Sequence, residues 1–326
     1  MSEILYNEIP SLDLSDFTDG DPNKKAQFVK KLGEAYQNIG FVAIKNHGLT
    51  QELQDQLYAS IKAFFGLDDA IKSNYERPEI GYQRGYTGKG KEHAKGRNTG
   101  DLKEFYHVGQ ELSNIADTDP LKKDYPPNVW PEEVPEFKQT ALEVFRIIEA
   151  AGKSMLQAIA LYLELEENYF EDKVLHGNSI LRPIHYFPIE NPADVPSDAV
   201  RAAEHGDINL ITLLMGASAD GLQVLRKDGQ WIPITALPEQ LVVNVGDMLE
   251  RLTNKKLKST IHRVVNPPRE KMNNSRYSIP FFMHPRSDMD LTCLESCVDD
   301  ESPKGFADAT AGEFLEERLR ELGLRK

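Results

Sequence analysis

Beyond Leu175 the chain breaks into seven short runs of alternating and β-branched residues, 179–187, 209–215, 222–225, 231–234, 241–245, 259–265 and 276–282, separated by turn-forming residues. Strands this short bury a face only by packing on one another. That excludes alternating βαβ units and predicts a sandwich or barrel, for which a jelly roll fits best.

The first half reads differently. Residues 4–14 alternate in a strand-like way up to Pro10, and Asp21-Pro22-Asn23 opens an amphipathic helix expected to reach Asn38. A strand at 40–44 and a helix from Thr50 to Phe65 follow, and 77–100, rich in Gly, Lys and Tyr, reads as a long surface loop. From Pro135, Phe137, Ala141, Leu142, Phe145, Ile148, Ala151, Met155, Ile159 and Leu163 recur at three- and four-residue steps, the pattern of one long helix lying along a core. At the C-terminal end Thr310-Ala311-Gly312-Glu313 is a capping box, followed by the apolar stripe Phe314, Leu315, Leu319 and Leu322. No internal repeat or low-complexity tract divides the chain.

Charge restricts the partners. Acidic residues outnumber basic ones 52 to 38, a net charge of -14, so the overall field repels phosphate backbones and anionic lipid. Nucleic acid and membranes are therefore not expected partners, and a small molecule held by local arginines is. Cys293 and Cys297 are too few for a disulfide scaffold or a cysteine zinc cluster. With no basic n-region and no long apolar stretch, a cytoplasmic location is expected. The oligomeric state is left open, because a surface stripe and a core stripe read alike.

Candidate chemistry begins at His205-Gly206-Asp207, with His262 lying 55 residues beyond Asp207. On an extended segment, residues two apart face the same way, so His205 and Asp207 form a two-point clip. His262 lies in another strand-like run, sharing a face with Thr260 and Val264. Two imidazoles and one carboxylate on one face of a cation make the facial triad of non-haem Fe(II) oxygenases, with open positions left for chemistry. An H-x-D triplet alone also arises by chance. A second pattern begins 14 residues after His262: in Arg276-Tyr277-Ser278-Ile279-Pro280-Phe281-Phe282, alternation sets Arg276, Ser278 and Phe282 on one face. A guanidinium fork beside a hydroxyl suits a carboxylate guest.

These segments resemble the isopenicillin N synthase-like Fe(II)/2-oxoglutarate-dependent oxygenases. The likeness extends over Ile9-Pro10-Ser11-Leu12-Asp13-Leu14, over Gly40-Phe41-Val42-Ala43-Ile44-Lys45-Asn46-His47-Gly48 as G-F-x-x-x-x-N-H-G, and over Leu181-Arg182-Pro183-Ile184-His185-Tyr186. It continues through Gly221-Leu222-Gln223-Val224 and Asn244-Val245-Gly246-Asp247. The resemblance implies a mainly β fold with flanking helices (α+β), a double-stranded β-helix or distorted jelly roll. It further implies a single oxygenase domain over 1–326, with 1–120 the N-terminal dioxygenase region and 175–290 the jelly-roll core.

Carried over residue by residue, it makes His205, Asp207 and His262 the iron ligands and Arg276 and Ser278 the binders of the distal carboxylate of 2-oxoglutarate. Tyr186 supports that carboxylate, and Asn244 lies close to the metal or else satisfies backbone groups. Phe282 is either an apolar wall near the reacting carbon of the substrate or a core residue. His47 reads as structural, and His93, His107, His176, His185 and His284 as surface, hydrogen-bonded or substrate-loop residues, because a fourth protein ligand would block oxygen. The stretches 81–90 and 92–97 offer cationic and aromatic groups to a substrate, and 101–107 resembles bacterial members.

The implied activity is oxidation of a small organic substrate by O2, whether hydroxylation, desaturation or cyclisation, with release of succinate and CO2. Two alternatives share the motif: a 2-oxoglutarate-independent Fe(II) oxidase whose Arg276 and Ser278 hold the substrate itself, and a non-catalytic cupin-like metal-binding protein. A zinc hydrolase would need a nearby general base, and the chain has no H-E-x-x-H.

Overall fold

The computed structural model describes residues 4–91, 103–112, 115–116, 125–189, 201–216, 221–235, 237–266, 270 and 272–321. Its strands, in chain order, are β1 Ser11–Asp13, β2 Phe41–Lys45, β3 Gly85–Thr87, β4 Lys103–Gly109, β5 Ile180–Leu181, β6 Ile184–Tyr186 and β7 Ala202–His205. They continue as β8 Ile211–Met215, β9 Leu222–Leu225, β10 Trp231–Pro233, β11 Leu241–Val245, β12 His262–Val264 and β13 Arg276–Met283. The helices are α1 Ser15–Thr18, α2 Pro22–Asn38, α3 Gln51–Phe65, α4 Asp69–Ser73, α5 Glu136–Tyr162, α6 Glu171–Val174, α7 Asp247–Leu252 and α8 Ala311–Glu321.

Local chemistry accounts for the helix starts. The Asp21 carboxylate accepts from the amides of Asn23 and Lys24 at 2.9 and 3.3 Å, with Pro22 in the first turn. Thr50 caps α3 through Leu53 at 3.3 Å, and Thr310 and Glu313 exchange the reciprocal bonds of a capping box ahead of α8. The α5 stripe is buried as its periodicity requires, and Gly152 lets the helix approach the sheet so closely that a Cβ there would lie 2.6 Å from Met283 Sδ. Phe145 meets Phe281 of β13 edge to face, with centroids 4.9 Å apart.

The strands form two sheets, the jelly-roll arrangement. The larger runs β1-β2-β11-β8-β13-β5-β4-β3, with β6 pairing β13 and β4, and the smaller runs β10-β9-β12-β7. Alternation assigns the two faces of the large sheet. Val42, Ile44, Leu213, Val243, Ile279 and Phe281 pack with the helices, whereas Phe41, Ala43 and Val242 pack with Val224 and Ile232 of the small sheet. The site lies on this second, inner face.

Three expectations need correction. Residues 4–10 form no strand; the strand is Ser11–Asp13, paired in parallel with β2. The stretch 77–91 is not simply a surface loop, since it contains a 3-10 turn at Pro78–Ile80 and the buried strand β3, paired with β4. Residues 92–102, which include His93 and the 92–97 candidates, lie outside the described residues, as does Leu322. Finally, 179–187 is two strands, because Arg182 and Pro183 pass between ladders: the Arg182 amide bonds the Pro280 carbonyl at 2.9 Å and the Pro183 carbonyl accepts from Tyr106 at 2.9 Å. Cys293 and Cys297 are buried free thiols. Among the described residues, no helix is long and apolar enough to cross a membrane.

Candidate metal centre

His205 and His262 are direct cross-strand partners on β7 and β12, with ring centroids 4.4 Å apart. Asp207 follows β7 in a turn closed from below by α7, where the Asp247 amide donates to the Asp207 carbonyl at 2.7 Å. Gly246 permits that closure, for a Cβ there would lie 2.1 Å from the Asn209 carbonyl oxygen. The result brings one donor atom from each of His205, Asp207 and His262 within 4.8 Å of the others. The Nε2 of His262 stands 3.8 Å from Oδ1 of Asp207.

Each side chain is held by its other polar atom. Nδ1 of His205 lies 2.7 Å from the Ala203 carbonyl, and Nδ1 of His262 lies 3.2 Å from the Thr260 carbonyl. A carbonyl only accepts, so each Nδ1 carries its proton and each Nε2 keeps a free lone pair. On Asp207, Oδ2 accepts from Thr212 Oγ1 at 2.6 Å and Asn244 Nδ2 at 2.8 Å, leaving Oδ1 toward the histidines. Asn209 in turn steadies Thr212, with its Nδ2 3.2 Å from the hydroxyl and 2.6 Å from the Ile211 carbonyl. Phe41 meets His262 edge on at 5.6 Å.

The charges suit a cation. Burial alone would raise the Asp207 carboxyl, but the imidazoles of His262 and His205 and the two hydrogen bonds bring it below the usual carboxylate range. Although part of His205 meets solvent, desolvation of the ring and the neighbouring His262 pull it down to about 4, so it is neutral at pH 7. Two imidazole nitrogens and one carboxylate oxygen match the donor preferences of ferrous iron.

The other expected residues share the inner face. Arg276 opposes Tyr186 in the β13–β6 register and Ser278 opposes Ile184; Arg276 is only 1% exposed, and its guanidinium stacks 5.0 Å from the Tyr186 ring. Asn244 opposes Thr212 in the β11–β8 register, which explains how both reach Asp207. Phe282, half-buried, also opposes Thr212, across the β13–β8 pair. Of the other histidines, His47 is buried against the Glu239 carbonyl at 3.0 Å, and His185 is bound to Glu104 and Ser275 at 2.7 and 2.9 Å. His284 is buried, within electrostatic reach of Asp207, and His176 is half-buried. None of these four belongs to the cluster of converging donor atoms.

Sequence reasoning assigned no role to Arg182, Phe105 or Tyr58. The Arg182 guanidinium stacks 4.6 Å from Phe105 and 5.1 Å from Phe282, and its Nε donates to His107 Nε2 at 2.5 Å. Nδ1 of His107 meets the Tyr82 carbonyl at 2.9 Å, which fixes the tautomer that can accept from arginine. The signal available was strand alternation, which sets Phe105 and His107 on one face of β4. Tyr58 donates to the Gly216 carbonyl, and burial pushes its phenol up to about 12 against the opposing charge of Arg276.

Comparison with known proteins gives two family matches. Residues 9–133 match the N-terminal model of non-haem dioxygenase in morphine synthesis, and 178–285 match the 2OG-Fe(II) oxygenase superfamily. A 2-oxoglutarate-Fe(II) type oxidoreductase from Aspergillus fumigatus is 32% identical, covering 95% of this chain and 92% of its own. One from Emericella nidulans is also 32% identical, over 88% of this chain and 82% of its own. Among solved structures, a 2OG-Fe(II) oxygenase family protein from Caulobacter crescentus is 43% identical with a TM-score of 0.85, covering 96% of this chain and 98% of that one. A full-length Neurospora crassa protein in complex with alpha-KG and thymine is 31% identical with a TM-score of 0.83, covering 96% of each chain.

Proposed function

Because the chain belongs to the 2OG-Fe(II) oxygenase superfamily, we propose that His205, Asp207 and His262 hold its iron and that Arg276, Ser278 and Tyr186 receive the distal carboxylate of 2-oxoglutarate. The protein is a 2-oxoglutarate-dependent Fe(II) oxidoreductase, with Fe(II) as cofactor and 2-oxoglutarate and O2 as co-substrates. The 2-oxoglutarate-independent oxidase is not favoured, since the curated relatives are named for 2-oxoglutarate.

Iron held by His205, Asp207 and His262 would supply the redox chemistry by which 2-oxoglutarate and O2 become succinate and CO2 while a substrate C–H bond is oxidised. The residues do the rest. Thr212 and Asn244 hold Asp207 so that its other oxygen faces the histidines, and the Ala203 and Thr260 carbonyls orient the imidazoles. Arg276 and Ser278 anchor a carboxylate at a fixed distance from the triad. The observation that carries this reading is the convergence of three donor atoms within 4.8 Å, each side chain turned by a bond to its other polar atom.

For the organic substrate, the inner face offers Phe282 and Phe105 with Arg182 stacked against both. An aromatic wall beside a guanidinium suits a small planar molecule with carbonyl or carboxylate acceptors. The thymine complex of the Neurospora relative supports that class.

Anaerobic titration of metal-free protein with Fe(II), then with 2-oxoglutarate, tests the assignment through the visible charge-transfer band that bidentate chelation creates. His205→Ala and Asp207→Ala should abolish both the band and O2 consumption, and Arg276→Ala should raise the 2-oxoglutarate concentration needed. Full activity in His205→Ala sinks the triad.

A further inference from the structure

Arg201 sits four residues before His205, at the entry to β7, and is 7% exposed. Its side chain reaches the segment that leads into β13, where Nη2 donates to the Asn274 carbonyl at 3.1 Å, two residues before Arg276. Among the described residues its buried Nε has no hydrogen-bond partner, and no carboxylate pairs with the guanidinium. The charge of Arg276 acts on it directly: after desolvation, that like charge is the next cause holding Arg201 below the ordinary arginine range, with Tyr186 opposing.

Two buried guanidinium groups thus lie within electrostatic reach of one phenol, that of Arg276 stacked on its ring. In a poorly hydrated setting such a pair is unfavourable by itself and strongly favourable once an anion lies between them. A structural arginine is normally satisfied by a carboxylate or by several carbonyls, and among the described residues Arg201 has one carbonyl. The open Nε and the shared Tyr186 turn it toward the same guest as Arg276.

We propose that Arg201 is a second anchor for the distal carboxylate of 2-oxoglutarate, which it shares with Arg276. This rests on the 2-oxoglutarate site proposed above. It predicts a co-substrate pocket that discriminates by the far end of the keto acid: 2-oxoglutarate gains both guanidiniums, and a 2-oxo acid without a distal carboxylate, such as pyruvate, gains neither.

The test is anaerobic titration of the Fe(II)-loaded full chain with 2-oxoglutarate and separately with pyruvate, read by the charge-transfer band, alongside the melting temperature of the ligand-free protein. Arg201→Ala should weaken 2-oxoglutarate at least tenfold, leave pyruvate within twofold, and melt no lower than wild type because a buried like charge is removed. Arg201→Lys, which keeps charge but loses the fork, should fall between, and it serves if the alanine variant does not fold. Unchanged 2-oxoglutarate affinity in either variant overturns the proposal. So does an equal loss for both keto acids with a lower melting temperature, which marks a structural role. A raised KM for the organic substrate with 2-oxoglutarate affinity intact would assign Arg201 to the substrate instead. If wild-type protein itself gives no band with 2-oxoglutarate, the underlying site reading fails, which is distinct from failure of Arg201 alone.

Discussion

A carboxylate ligand is only as well placed as the groups that hold its second oxygen. In Asp207 that oxygen is shared by Thr212 and Asn244, both buried and both drawn from the large sheet, while the histidines come from the small one. Asn244→Ala or Thr212→Val should therefore weaken Fe(II) binding about 10- to 100-fold without removing a ligand, measured by competition with a chelator of known affinity. Binding within twofold of wild type would show that Asp207 needs no such support. The convergence of His205, Asp207 and His262 was legible from the H-x-D spacing and a distal histidine in a strand-like run, although it is the turn after β7, not strand alternation, that brings Asp207 in. Thr212 was not, since a threonine in a β-branched run looks like any other strand former until its partner is placed. His284 yields a second prediction. Burial, with the charge of Arg182, pulls its imidazole down to about 4, against about 6.5 in unfolded chain. The folded state thus keeps it neutral where the unfolded state takes up a proton, so stability is full above about pH 6.5 and is lost progressively down to about pH 4. From pH 7.5 to 5 this group should cost about 2 kcal/mol of unfolding free energy. Urea titrations of wild type and His284→Leu at both pH values check it, since the variant should show the smaller drop.

At the scale of elements, the legible parts were those whose signal is local. The caps at Asp21, Thr50 and Thr310 and the α5 stripe depend on neighbours within a few residues, and α2, α3 and α5 begin and end within about one residue of the sequence reading. β3 and β4 were lost for the opposite reason. Gly85 lies within the 77–100 stretch that reads as loop and the sequence reading assigns no element to 103–107, and only pairing with β6 and a buried cation shows why Glu104 belongs in a strand. Gly40 links the two levels. It adopts φ +72 at the start of β2, and a Cβ there would lie 2.3 Å from the Lys258 carbonyl and 2.6 Å from Thr260 Oγ1, in the segment that leads to His262. Gly40→Ala should cost about 1–3 kcal/mol for the backbone conformation alone, with the clash adding to it, and should weaken Fe(II) binding through His262. Gly20→Ala is the control, having φ +85 and nothing within 4 Å, so it should cost stability and leave Fe(II) affinity unchanged. Equal Fe(II) affinities in the two variants would disconnect Gly40 from the site.

Across the whole molecule, the back of the proposed co-substrate face is tied to the helical layer by a buried charge cluster. Glu104 of β4 is fully buried and bonds Lys72 of α4 at 2.8 Å, His185 of β6 at 2.7 Å and Tyr86 of β3 at 2.5 Å. His185 continues to Ser275 at 2.9 Å and stacks on Tyr277 at 4.8 Å. Desolvation would neutralise the pair, yet the contacts win: Glu104 stays below the usual carboxylate range and Lys72 above the usual ammonium range. Register then carries the consequence to the site, because His185 opposes Tyr277 while the adjacent Tyr186 opposes Arg276 on the inner face. A cluster that joins α4, β3, β4, β6 and the entry to β13 fixes where Tyr186 and Arg276, the proposed carboxylate anchors, stand. Removing one member leaves the other charge buried and alone, so Lys72→Met and Glu104→Gln should each destabilise by about 3–5 kcal/mol. Because each single change also strands its partner, the double variant should lose clearly less than the sum of the two, which a urea-unfolding double-mutant cycle measures. The same variants at temperatures where they remain folded should show a raised KM for 2-oxoglutarate with Fe(II) affinity nearly intact, since the triad hangs on other strands. Additive stabilities would dissolve the cluster into independent contacts, and a loss of Fe(II) affinity equal to that for 2-oxoglutarate would mean that the two halves of the site are not held separately.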